Sequence, residues 1–115
     1  MSENCIFCKI IAGEIPSQRV YSDEMVTAFR DIHPVAPIHI LIVPNDHISS
    51  VNEVEPEDEG RMGRLFTVAR KLAENEGISQ TGYRMIVNSG PNAGQEVFHL
   101  HLHLLGGQKM RYPMG

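Results

Sequence analysis

The run His99-Leu-His-Leu-His-Leu-Leu105 decides how this chain folds and where its chemistry lies. Side chains of a β-strand alternate between two faces, so a strand here puts His99, His101 and His103 on one face and Leu100, Leu102 and Leu104 on the other. The leucine face enters a core, and the histidine face is left for a site. Neighbouring histidines stand about 6.6 Å apart, two rises of about 3.3 Å each. Three imidazoles this close titrate as a coupled set, and at least one stays neutral near pH 7, where it is a base and a nucleophile. A solvated strand face or an affinity tag is the plain alternative, but a tag is contiguous histidine at a terminus, without leucines in register. A metal site is the stronger rival, because a His-x-His pair on a strand suits zinc. All three on one ion is harder, since the outer pair starts about 13 Å apart at Cα. Nucleophilic or acid–base chemistry is placed ahead of a metallohydrolase, though not on sequence spacing alone.

Outward from this run, the remaining elements pair with it. Tyr83-Arg-Met-Ile-Val-Asn88 reads as a strand, and Phe98 to Leu105 as another; between them Ser89 to Glu96 carries Gly90, Pro91, Asn92 and Gly94, a loop composition. Ile38-His-Ile-Leu-Ile-Val43 is a further strand closed by Pro44. Arg19-Val-Tyr-Ser22 and Met25-Val-Thr-Ala-Phe-Arg30 form a hairpin turning at Ser22-Asp23-Glu24, and Asp31 to Pro37, with two prolines, is a loop. From about Pro56 to Glu76 the apolar residues Met62, Leu65, Phe66, Ala69, Leu72 and Ala73 recur at three-and-four spacing, which predicts one long helix ended by Gly77. Acidic residues 57–59 suit its first turn. A short N-terminal helix starts near Cys5 and stops at Gly13. About five strands with hairpin-length gaps and one long helix make an α+β domain with an antiparallel sheet.

With 115 residues there is room for one domain, 1–115, and no linker or internal repeat divides it. Ten basic against fourteen acidic side chains give a net charge of -4, which argues against a broad cationic face for nucleic acid or anionic lipid but allows a local phosphate site. No Trp, three Tyr and four Phe leave little for a base-stacking platform. The longest apolar stretch, Ile38 to Pro44, is far short of the roughly 20 residues of a membrane span. No secretory signal is visible from Met1 onward, and two cysteines make no disulfide framework, so a cytoplasmic location is expected. Cys5-x-x-Cys8 is a redox pair, half a zinc site, or two packed small hydrophobes.

The alternating histidine run resembles the His-φ-His-φ-His-φ-φ signature of the histidine triad (HIT) family, φ being apolar. The likeness extends from Cys5-Ile-Phe-Cys-Lys-Ile-Ile11 to the Gly106-Gly-Gln-Lys-Met-Arg-Tyr-Pro113 tail. It passes through Phe29-Arg-Asp-Ile32, Ala36-Pro-Ile-His-Ile-Leu-Ile-Val-Pro44, Asn88 and Gly94-Gln-Glu-Val97. It is strongest with the branch of small dimeric purine-nucleoside phosphoramidases. The resemblance implies that His101 attacks the α-phosphorus to form a nucleotidyl-histidine, which water hydrolyses. By the same resemblance, His103 and His39 contact the phosphate and move protons to the leaving group. Asp31, with Ile32 beside it, accepts from the ribose hydroxyls, and Ile6, Phe7, Ile10, Ile15 and Phe29 line a base pocket. Asn88 and the loop Gly94, Gln95, Glu96, Val97 hold the phosphate or leaving group, partly through backbone N–H donors.

The resemblance also implies His47 and His99 as partners of Cys5 and Cys8 in a structural Cys₂His₂ zinc site, which would take His99 out of the chemistry; no catalytic metal is expected. It implies a homodimer acting on a purine nucleotide. The expected activity is hydrolysis of nucleoside phosphoramidates or adenylylated amines. The alternatives are a dinucleoside polyphosphate hydrolase or nucleotidyl transferase of the same family, and a non-catalytic nucleotide- or zinc-binding module.

Overall fold

The structure, a computed structural model, describes residues 4–113; residues 1–3 and 114–115, the ends of the expected domain, lie outside the described residues. The apolar run of 38–44 is buried along nearly its whole length because it is a central strand, covered on both faces. It is β3 (Ile38–Pro44) of an antiparallel sheet ordered β1-β2-β3-β5-β4, with β1 (Arg19–Ser22), β2 (Val26–Arg30), β4 (Tyr83–Ile86) and β5 (Leu102–Gly106). The fold class is the expected α+β, with the long helix α2 (Glu59–Asn75) and the short α1 (Ile6–Ile11).

Alternation along the strands sorts the two faces. Ala28, Ile40, Ile42, Leu102 and Leu104 bury against Leu65, Val68, Ala69 and Leu72 of α2. On the opposite face Phe29, Leu41 and Val43 bury against Phe7, Cys8 and Ile10 of α1. The main core therefore lies under α2, and the α1 face is left for the polar residues of opposite parity. The register places Leu41 opposite His103 and His39 opposite Leu105, which brings two histidines from distant segments onto that face. Arg30 and Glu76 close the β2 end of the sheet against the end of α2 with paired bonds of 3.0 and 2.9 Å.

Three expected boundaries move. The last strand was expected from Phe98, but its ladder begins at Leu102 and runs to Gly106. The preceding backbone peels away from β3 because its donors go elsewhere: the Leu100 N–H meets the Ile48 carbonyl at 2.6 Å, and His99 Nε2 meets the Pro44 carbonyl at 2.8 Å. The histidine–leucine alternation survives this, since Leu100, Leu102 and Leu104 are all in the core under α2. The strand expected to reach Asn88 stops at Ile86. The first turn of the long helix, Pro56–Asp58, is a 3-10 turn closed by reciprocal bonds between Glu55 and Asp58, and the α-helix starts at Glu59.

One expected core residue is on the surface. Phe66 is 59% exposed, whereas Val68, absent from the expected stripe, is buried. At about 100° per residue, a stripe centred on Leu65, Val68, Ala69 and Leu72 swings Phe66 toward solvent. Gly13 and Gly77 end the two helices with positive φ of 81° and 76°, as their positions predict.

Candidate active site

His101 sits just before β5, with its ring under Phe7 of α1 at 5.1 Å between centroids, edge to face. Its Nδ1–H donates to the His99 carbonyl at 2.7 Å. That bond fixes the tautomer: the proton is on Nδ1, and Nε2 keeps its lone pair. His101 is buried, yet it lines a cavity of about 340 Å³ on the α1 face. A neutral imidazole with a committed Nδ1–H and a lone pair at a cavity is a positioned nucleophile.

A second chain of contacts runs beside it. The Val35 N–H donates to His39 Nδ1 at 3.1 Å, so a neutral His39 carries its proton on Nε2. That nitrogen faces His103 Nδ1 at 3.0 Å and Asp31 Oδ2 at 3.3 Å. With Nδ1 accepting, a neutral His103 has its proton on Nε2, and its ring lies 4.9 Å from that of His101. Burial, and then the neighbouring His101 and His39, push the His103 pKa down to about 4. Burial also lowers that of His39, against the raising effect of Asp31. Both are therefore neutral near pH 7, and each offers one N–H with its other nitrogen already accepting.

The structure brings nearly all the expected binding residues to this one cavity. Ile6, Phe7, Ile10, Ile15 and Phe29 form an apolar end, with Phe7 and Phe29 edge to face at 5.4 Å. Asp31 and Ile32 stand at its rim, Ile32 being 83% exposed, and Asp31 Oδ1 also accepts from the His33 N–H at 2.8 Å. Asn88, Gly94, Glu96 and Val97 complete the lining together with His101 and His103.

Gln95 departs from expectation as a side chain. It is buried away from the cavity, donating to the Ser49 and Val97 carbonyls and accepting from the Gly90 N–H. It is a brace for the loop. The loop's donors are likewise divided. The N–H groups of Gly94 and Gln95 go to the Pro91 and Gly90 carbonyls, and those of Glu96 and Val97 have no protein partner among the described residues. Gly94, at φ 84°, makes the left-handed turn that leads the chain into this stretch.

Sequence reasoning missed Leu41 and Ser17, which also line the cavity. Leu41 was readable, since it shares the strand parity of His39; Ser17, in an irregular segment, gave no signal. Arg30 reaches the cavity too, but its guanidinium is engaged by Glu76. A larger cavity, about 810 Å³, lies between Pro34, Arg84, Ile86 and Tyr112 and contains none of these histidines.

The cysteines form a separate cluster. Cys5 Sγ lies 3.2 Å from His99 Nδ1, and Cys8 Sγ lies 3.6 Å from the same atom and 3.4 Å from His47 Nδ1. The four donor atoms are all within 4.8 Å of one another. Zn–S bonds of about 2.3 Å and Zn–N bonds of about 2.0 Å at tetrahedral angles require sulfur–nitrogen separations of about 3.5 Å, so the donor set fits a four-coordinate ion. His99 also has the outer partner such a ligand needs, since Nε2–H donates to the Pro44 carbonyl and leaves Nδ1 for the cluster. Asp31, His39 and His103 form a second group of similar compactness, already joined by their own hydrogen bonds.

The chain is 57% identical over 110 residues to purine nucleoside phosphoramidase of Escherichia coli (strain K12), a match covering 96% of this chain and 92% of that protein. Its structure superposes on a HIT family hydrolase from Legionella pneumophila Philadelphia 1 with TM-score 0.94 and 49% identity, covering 97% of this chain and 100% of the other. A HIT family hydrolase from Clostridium thermocellum gives TM-score 0.96 at 48% identity, with 99% of each chain covered. The family model described as HIT domain matches residues 12–110, and so the histidine strand, the α1 face and its cavity are those of a chain that belongs to the HIT family.

Proposed function

We propose that this protein hydrolyses purine nucleoside 5′-phosphoramidates and adenylylated amines through a nucleotidyl-histidine intermediate on His101. The observation that carries this reading is the 2.7 Å bond from His101 Nδ1–H to the His99 carbonyl, which leaves Nε2 as the lone pair at the cavity. The similarity to purine nucleoside phosphoramidase of Escherichia coli supports the choice of bond.

In the first step His101 Nε2 forms a bond to the α-phosphorus as the P–N bond of the substrate breaks. The departing nitrogen takes its proton from solvent at the cavity and leaves as the amine, while His103 Nε2–H, its ring held at Nδ1 by His39 Nε2–H, donates a hydrogen bond to the phosphoryl group. In the second step the oxygen of a water bonds to phosphorus as the His101–P bond breaks, the water's proton goes to solvent, and His101 Nε2 regains its lone pair. The phosphoryl charge is met by Asn88 and by the N–H groups of Glu96 and Val97, and among the described residues these have no protein partner and no free Lys or Arg lines the cavity. Asp31 is an acceptor for the ribose hydroxyls, and the apolar end formed by Ile6, Phe7, Ile10, Ile15 and Phe29 takes the base.

Cys5, Cys8, His47 and His99 would hold a structural zinc ion, whose contribution is to pin α1 and the segment before β5 together. The whole chain 1–115 works as one cytoplasmic HIT domain in a homodimer; the open edge of β4, which among the described residues pairs only with β5, supports association. Among the described residues no helix is long and apolar enough to cross a membrane.

The test is hydrolysis of adenosine 5′-phosphoramidate by wild type and His101→Ala, each with and without a chelator. The expected result is a fall in kcat of about 10⁴-fold or more in the variant, with AMP still bound, and little direct effect of the chelator. Turnover that stops with the chelator alone would favour a metallohydrolase, and wild type that binds nucleotide without turnover would favour a binding module.

A further inference from the structure

Glu96 is an exposed carboxylate in an unusual place. It stands on the loop where the Glu96 and Val97 N–H groups have no protein partner among the described residues, and its carboxylate has no hydrogen-bond or ion-pair partner among them. It also borders a second cavity of about 400 Å³, which shares the lining residues Ile6, Glu96 and Val97 with the catalytic one. The second cavity is walled further by Phe98, 48% exposed, by Ser49, and by Cys5 and His47 of the cysteine–histidine cluster, and among the described residues no Lys or Arg lines it.

A carboxylate next to a phosphoryl anion is repulsive, and among the described residues no free Lys or Arg lines the cavity to offset it. Net repulsion disappears if the substrate itself brings a positive charge between the two. A polyphosphate leaving group would add to the repulsion, a neutral amine would leave it, and an amine with a second, protonated nitrogen would reverse it. We propose that the cavity beside Glu96 receives the leaving group and that Glu96 selects phosphoramidates of alkylamines bearing a terminal ammonium, with Phe98 packing along the alkyl chain. This rests on the phosphoramidase reading and names the class of leaving group that the site prefers. The same charge acts against dinucleoside polyphosphates.

The experiment compares kcat/KM for three adenosine 5′-phosphoramidates of equal chain length, ending in ammonium, methyl or carboxylate, with wild type, Glu96→Gln and Glu96→Lys. Wild type should prefer the ammonium over the methyl compound by about fivefold and disfavour the carboxylate by a similar factor. Added salt should shrink both ratios. Glu96→Gln should bring the ratios close to one, and Glu96→Lys should invert their order. Ratios that are flat in wild type, or unchanged in both variants, would overturn the assignment of Glu96 while leaving the phosphoramidase reading intact. Failure of wild type to hydrolyse any of the three would overturn both.

Discussion

Asp31 carries two duties at one rim of the cavity: Oδ1 accepts the His33 N–H at 2.8 Å, and Oδ2 lies 3.3 Å from His39 Nε2. Substitution by Asn keeps an acceptor for the turn and removes the charge offered to the ribose hydroxyls. Asp31→Asn should therefore fold normally and raise KM by about tenfold, since a hydrogen bond to a charged acceptor contributes about 1.5–3 kcal/mol. Steady-state kinetics with an adenosine and a 2′-deoxyadenosine phosphoramidate checks this. The two should differ in wild type and converge in the variant, and a drop in kcat alone would place Asp31 with the proton chain. The low pKa of His103 has a residue-scale meaning too. A ring that is neutral well below pH 7 enters the reaction as an N–H donor, and His39 behind it sets which nitrogen bears the hydrogen.

At the scale of elements, β5 matters because it ties the histidine run to both the core and the C-terminal segment. Its exit is tight. Gly107 has φ of 93°, and a Cβ there would meet Pro37 Cβ at 2.9 Å. Gly107→Ala therefore meets a left-handed backbone and a contact at once, and should cost about 1–3 kcal/mol, read as a lowered midpoint in urea unfolding. Leu104, fully buried under α2 and paired with Ile40, reports the core directly. Leu104→Ala should cost about 2–5 kcal/mol in the same assay. A smaller loss there would mean that the leucine face can collapse around the gap.

For the whole molecule, the buried histidines couple stability to pH. Burial is the main cause that lowers His39 and His103, and His103 reaches about 4 from an ordinary 6.5. Between those two values the unfolded chain binds protons that the native protein refuses, so stability should fall as pH drops from 6.5 toward 4. Melting temperatures at pH 7.5 and pH 5 check the sign, and His103→Asn should weaken the slope. Metal loss acts through another part of the molecule. With zinc held by Cys5, Cys8, His47 and His99, His47→Ala or a chelator should lower the melting temperature while the residual folded protein keeps its turnover. The reason is spatial: the cluster holds the His99 side chain, whereas His101 is bonded to the His99 backbone carbonyl.

Local pattern was enough for much of this. The alternation of 99–105 assigned leucines to the core and histidines to the site, and it survived even where the ladder did not form, because sidedness needs only extended backbone. The apolar spacing of 62–73 located α2, although it misjudged Phe66, whose angular position matters more than its hydrophobicity. The family-like segments carried the cavity residues with them. Tertiary structure alone decided what met what. The pairing of His39 with His103 depends on the β3–β5 register, and the approach of His99 to Cys5 spans 94 positions of chain. The loop at 94–97 shows the same division. Its glycine announced a turn, but only the fold spent the Gly94 and Gln95 donors on carbonyls, turned the Gln95 side chain inward, and left Glu96 standing between two cavities. Periodicity is a property of neighbours in sequence, whereas donors, carboxylates and cavities are assigned by contacts between segments that sequence spacing does not encode.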